Sequence, residues 1–295
     1  MAYSLIGKDF IPPDVHGKVT GKAKYAEDFK VDGMLHTRLL TSPIPHARIA
    51  RIDVSKALQM DGVAAVLTAD DVPFIPNLGN PILTNEPAYV GDPILAIAAE
   101  DERTAEDAIQ AINFDFEPLP FVVDPLTSLR PNGPHARTQG NVGNATMQDD
   151  FRSVHWSDDE MAALVNKELP QGEPAREWSV GDLEAGFASA AYTIDESFVT
   201  ASYSHNSMEP RSALAYWENG KCFLYGSSQS QSFPVPALAE YIGIDPANLV
   251  FVAEYCGGGF GSKGAAYPAM SIPAHMARLT GRPVMMRISR EQEYY

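Results

Sequence analysis

The sequence predicts an α+β protein. Two observations carry this: short strand-like runs alternate with helix-spaced apolar residues between Gly17 and Leu129, and a similar alternation resumes after Val180. A composition of 45% hydrophobic and 20% charged residues over 295 positions supports packed cores and excludes disorder or coiled coil as the dominant state. That length allows two domains.

Residues 1–16 read as an extended arm, because Pro12-Pro13 fix φ and donate no backbone hydrogen bond. Residues 17–130 form the first expected domain. Met34–Leu40 and Ala47–Val54 are strands, and Asp53–Leu58 a turn of helix with Ser55 as its capping acceptor. Val63–Leu67 is a β-branched strand, and Pro93–Ala98 a continuous apolar run suited to a strand covered on both faces. Glu102–Ile112 carries Ala105, Ala108, Ile109 and Ile112 at helical spacing and leads into a strand at Asn113–Phe116.

Residues 131–178 read as an acidic linker, with Asp149-Asp150, Asp158-Asp159-Glu160 and one short helix, Ser157–Asn166, closed by a Ser157/Glu160 capping box. Residues 179–295 form the second expected domain. Asp182 caps a short helix; Tyr192–Ser202 and Lys221–Ser228 are strands; Ser232–Ile242 is a helix with Pro234 and Pro236 in its first turn and Gly243 at its end. Leu249–Tyr255 is a buried strand, followed by a glycine cluster, a helix from Tyr267 to Leu279 and a strand at Pro283–Ile288. Ser289–Gln292 has capping-box spacing, so an element is expected to begin just before the sequence stops at Tyr295.

A formal charge of -16 opposes nucleic acid as a partner, and two cysteines cannot build a disulfide framework. No run reaches the roughly 20 apolar residues of a membrane span, and the first ten residues lack a signal peptide's basic start and apolar run. A cytoplasmic protein is expected.

The densest chemical signal is Tyr255–Gly264, with four glycines within Gly257–Gly261. Such a turn between strand and helix lets a ligand approach main chain. It is no P-loop, because Lys263 is followed by glycine rather than Ser or Thr. Gly259–Gly264 matches G-x-G-x-x-G, yet no acidic residue stands between Gly264 and Arg290 to hold a ribose, so a nicotinamide dehydrogenase is a poor second reading. Two further segments stand out, His205–Arg211 and Ser227–Ser232; the latter either caps a helix or presents Gln229 as a donor. Among the other polar residues, Cys222 and Cys256 read as packing, and His46 and His205 as structural. His275 reads as surface or satisfied core, and Lys263 as solvated or salt-bridged rather than a phosphate ligand.

In this order, these segments resemble the molybdenum hydroxylases, the family of xanthine dehydrogenase and aldehyde oxidase. Gly257–Lys263 is similar to the family's G-G-G-F-G loop, His205–Pro210 to its H-N-x-M-E-P segment and Ser227-Ser228-Gln229 to its S-T-Q segment. Gly17–Asp28 is like the opening of the family's first domain, and Pro43–Ile49 is similar to its S-x-x-P-H-A-R-I segment. The resemblance implies a hammerhead-like α/β domain followed by the first part of a molybdopterin-binding α+β domain. It also implies a molybdenum–pterin cofactor, with the cytosine dinucleotide form among the options, that hydroxylates a carbon with water oxygen. Electrons would pass to [2Fe–2S] and FAD subunits.

By resemblance, Gln229 would donate to a molybdenum oxo group, and Gly258, Gly259, Phe260 and Gly261 would face the cofactor by main chain. Gln229 and Phe260 would lie nearest the metal without ligating it. Xanthine-oxidising relatives carry a purine-contacting Glu where this chain has Gly264, which implies an aldehyde or aromatic N-heterocycle as substrate. No catalytic residue is expected in this chain. The family's general-base Glu lies in the second half of the molybdenum subunit, without which the chain is expected to be inactive. A non-catalytic scaffold subunit is the alternative.

Overall fold

The computed structural model describes residues 4–75, 81–135, 137–142, 152–165, 177–196, 198, 200–201 and 203–294. Two compact units emerge: the described parts of Met1–Pro120 and Ser204–Tyr295 form one, and those of Phe121–Val142 and Phe151–Tyr203 the other. Among the described residues no helix is long and apolar enough to cross a membrane.

The first unit opens with exposed residues and a short helix, α1 (Val15–Val19), where the arm was expected to stay extended. Its first two strands are β1 (Leu35–Thr41) and β2 (Ala47–Asp53). In the turn of helix α2 (Ser55–Leu58), the expected cap is corrected: Ser55 donates its amide to Asp53 Oδ1 at 3.0 Å, because the carboxylate two residues back reaches it first. β3 (Val63–Thr68) and β4 (Pro93–Ala99) follow, then α3 (Glu102–Gln110), whose Asp101 cap accepts from Thr104 N at 2.8 Å, and β5 (Asn113–Pro118).

β4 shows why its sequence is uniformly apolar. Leu95 and Ile97 point into a core with Ala108 of α3, while Ala96 and Ala98 point into another core on the opposite face. A seven-stranded sheet runs β3-β4-β1-β9-β6-β7-β8, and β2 and β5 pair as a separate ribbon. β7 (Lys221–Gly226) forms where the strand Lys221–Ser228 was expected, and it pairs as a hairpin with β6 (Ser212–Glu218), a strand absent from the expectations. Asn219 and Gly220 between them have φ of 51° and 77°, the left-handed pair a two-residue hairpin needs. β1, β3 and β4 from 17–130 thus share one sheet with the strands formed within 204–294, joined where β1 runs parallel to β9 (Val284–Arg287).

In the second unit, α4 (Pro125–Leu129) and α5 (Asp158–Val165) precede α6 (Leu183–Ser189). Ser157 and Glu160 close the expected capping box, and Asp182 Oδ1 accepts from Ala185 N at 3.0 Å. Asp149 and Asp150 lie outside the described residues, as does Asn166 at the end of the expected helix. The strand expected at Tyr192–Ser202 is corrected for its described residues: none is in a strand, and Tyr192, Ile194 and Phe198 are exposed. An alternating run becomes a strand only against a partner ladder, and none is formed there among the described residues.

Back in the first unit, α7 (Val235–Ile242) ends at Gly243 in the left-handed region. Its Leu238, Ala239 and Ile242 pack with Cys222 and Leu224 of β7. β8 (Leu249–Val252) is shorter than expected, and of its residues only Leu249 is buried, the strand lying at the edge of the sheet. A 3₁₀ turn (Pro268–Ser271) leads into α8 (Ile272–Thr280), whose Ile272 and Met276 pack with Leu35, Leu39, Val284 and Met286. Ser289 and Gln292 then exchange capping bonds at 3.0 and 3.1 Å.

Candidate functional site

β8 delivers the chain into the glycine loop, and the 3₁₀ turn before α8 takes it away. Each glycine has a physical reason. At Gly257 a Cβ would lie 2.4 Å from Glu209 Cβ, and at Gly259 one would lie 2.2 Å from Gln229 Oε1, so both admit close neighbours. Gly258 and Gly261 instead have φ of 108° and 105°, which L side chains rarely adopt. Phe260, between them, also has positive φ, 50°, and is 74% exposed. A bulky residue in that region is held only when its surroundings over-determine it.

Gln229 meets this loop directly. Its Oε1 accepts from Gly261 N at 3.0 Å, and its own N–H donates to Lys263 O at 3.1 Å. With the amide oxygen so used, the NH₂ end is turned away from Gly261 N as a donor on an exposed side chain. Gly264 closes the same corner, since a Cβ there would stand 3.7 Å from Gln229 Nε2. The sequence-derived set Gln229, Gly259, Gly261 and Gly264 therefore converges, with Gly258 and Phe260 on the same arch. In front of Gly261 the nearest atom to an added Cβ is His205 Nε2, at 3.8 Å.

Beneath this exposed face lies a buried polar layer. Lys263 is wholly buried, where a solvated lysine was one expectation; its ammonium donates to Glu209 O and lies 3.4 Å from Glu209 Oε2. That burial also removes it from any phosphate. Arg211 pairs with Glu293 and donates to Ser262 O at 2.9 Å, while Arg290 donates to Ser207 O and Met208 O, each at 2.7 Å. Sequence reasoning missed these supports because their partners lie about 50 to 80 positions away. Burial raises the Cys256 thiol above its ordinary range and keeps the Tyr267 hydroxyl protonated.

Outside the loop, His46 is buried between Pro120 O and Glu86. His275 donates to Tyr241 O at 2.9 Å, as satisfied core. Cys222 is core, its thiol pushed up to about 12 by burial.

Among the described residues no three of His, Cys, Asp and Glu gather as a metal-binding group. The donors present are a neutral amide and bare main chain. They fit a metal that arrives with its own organic ligands, which protein then orients. They fit a pyrophosphate poorly, because the amides of Gly257, Gly261, Ser262 and Gly264 are already bonded within the protein.

Comparison with known proteins agrees. Residues 20–120 match the sequence model of the aldehyde oxidase and xanthine dehydrogenase a/b hammerhead domain, and residues 165–295 that of the molybdopterin cofactor-binding domain. The chain is 30% identical to a probable xanthine dehydrogenase component of Bacillus subtilis, over 96% of this chain and 35% of that one. It is 26% identical to the nicotinate dehydrogenase large molybdopterin subunit of Eubacterium barkeri, over 98% and 63%. Among solved structures, aldehyde oxidoreductase from Desulfovibrio gigas superposes with a TM-score of 0.70 at 27% identity, over 96% of this chain and 30% of that one. The chain spans about a third of the length of most such relatives. With both of the family's domains matched in succession and the glycine arch folded against Gln229, the chain belongs to the molybdenum hydroxylases, the family of xanthine dehydrogenase and aldehyde oxidase.

Proposed function

We propose that this chain supplies a hammerhead-like domain and one wall of the molybdenum–pterin site in a hydroxylase acting on an aldehyde or aromatic N-heterocycle. When bound, the cofactor, in its cytosine dinucleotide or simpler form, supplies the two-electron oxidation and the activation of water. Residues 1–16 serve as an arm, 17–130 and 179–295 as the two functional segments, and 131–178 as the linker between them. The base that moves the proton sits on the second half of the molybdenum subunit. Electrons leave to [2Fe–2S] and FAD subunits in the cytoplasm.

The observation that carries this reading is the bond from Gly261 N to Gln229 Oε1. It occupies the oxygen end of the amide, so that Gln229 Nε2 is left to hold an oxygen of the cofactor. Gly258, Gly259, Phe260 and Gly261 bring main chain to the same side. Gly264 favours the substrate class, since a side chain there would project beside Gln229 Nε2 and glycine leaves that approach bare.

In the holoenzyme, Gln229→Ala should lower turnover of aldehydes or N-heterocycles by about tenfold, as expected for a lost donor to the reacting centre. An unchanged rate with full molybdenum content would favour a scaffold subunit instead.

A further inference from the structure

We infer that Glu209 and Lys263 form a positioning pair that sets the shape of the glycine arch from below; this rests on the proposed function only for its effect on the cofactor. Neither residue touches the exposed face. Glu209 grips the start of the loop twice: its Oε2 accepts from Gly257 N at 2.7 Å, and its N–H donates to Gly257 O at 3.2 Å. Lys263, at the loop's other end, donates its ammonium to Glu209 O. One residue of the 205–211 segment therefore holds both feet of the arch.

Lys263 also ties in the third segment. Its carbonyl accepts from Gln229 N at 3.1 Å and from Ser228 Oγ at 3.1 Å. The residue whose ammonium reaches Glu209 thus also holds, by its carbonyl, the main chain of Gln229, whose Oε1 accepts from Gly261 N. The carbonyls of Ser207, Met208 and Glu209 each accept from a cation, which leaves this support little freedom. Glu209 Oε1 has no protein partner among the described residues, so the carboxylate's bonds are directed at the loop.

The test compares Glu209→Gln/Lys263→Met, which removes both charges at nearly constant volume, with Gly257→Ala, which keeps both but drives a Cβ into Glu209. Amide exchange of the holoenzyme is read over 257–264 and over Pro93–Ala99 as a core control, beside molybdenum content per enzyme and the split between kcat and KM. Both variants should speed loop exchange by about tenfold with β4 protection intact, and lower molybdenum content and kcat. Wild-type loop exchange in both variants, or loss of β4 protection in both, overturns the proposal, the latter by making the pair a general stability element. Gln229→Ala separates the two readings. If it impairs the enzyme while the pair variants behave as wild type, only the positioning fails. If the loop loosens but no variant, Gln229→Ala included, affects metal content or turnover, the positioning stands and the cofactor reading fails.

Discussion

Replacing Gly259 with alanine separates function from stability at this site. The new Cβ would start 2.2 Å from Gln229 Oε1, more than about 1 Å inside ordinary contact, and 3.2 Å from Gln229 Cβ. Gln229 is exposed, so its amide can swing into solvent. Its bond to Gly261 N is then lost, at about 0.5–1.5 kcal/mol. Alanine returns about 0.4–1 kcal/mol by restricting the unfolded chain, since Gly259 is not among the positive-φ glycines. The two nearly cancel, and the thermal midpoint should move by less than about 4 °C. Turnover should nevertheless fall toward the level of Gln229→Ala, because both changes act on one amide. Combined, the two substitutions should cost little more in turnover than Gln229→Ala alone. Rates for the three variants, read beside their thermal midpoints, test this. Wild-type turnover in Gly259→Ala, or losses that multiply in the double variant, would refute the claim that Gly259 serves to seat Gln229.

Gly261→Ala should behave oppositely, with only ordinary contact for its Cβ but φ of 105°, so unfolding by denaturant should show a loss of about 1–3 kcal/mol. In thiol labelling of the native chain, Cys256 should react slowly and Cys222 only on unfolding, since burial holds both thiols protonated and Cys222 is sealed in the core. His275 has its pKa lowered from 6.5, chiefly by burial. Below that pH the unfolded chain binds a proton that the folded chain resists, so stability should decline as pH falls from about 6.5 to the depressed folded value and then level off. His275→Gln should flatten that decline in urea midpoints measured across the range.

The parts of the fold visible in advance were those with local causes. The double-faced burial of β4, the Asp182 cap and the Gly243 stop each follow from neighbouring residues. The Asn219-Gly220 pair was an equally local signal for the β6–β7 hairpin. Tyr192–Ser202 failed in the other direction, because alternation states a preference and not the presence of a partner strand. At the site, the resemblance singled out Gln229, Phe260 and Gly261, and the fold brings them to one arch. The division of labour among the glycines was not: Gly257 and Gly259 make room for the chain's own side chains, whereas Gly258 and Gly261 hold positive φ. The burial of Lys263 was also hidden, since a lysine in a polar loop reads as solvated until the fold closes over it.

The parallel pairing of β1 with β9 has a consequence for synthesis. Arg38 donates to the carbonyl of Arg287 across 249 positions, and β9 stands between β1 and β6 in the sheet. At about 5–20 residues per second, the ribosome needs roughly 10–50 s to supply that missing centre. During that interval β1 presents an open edge, the kind of surface that invites pairing with a wrong neighbour and that chaperones shield.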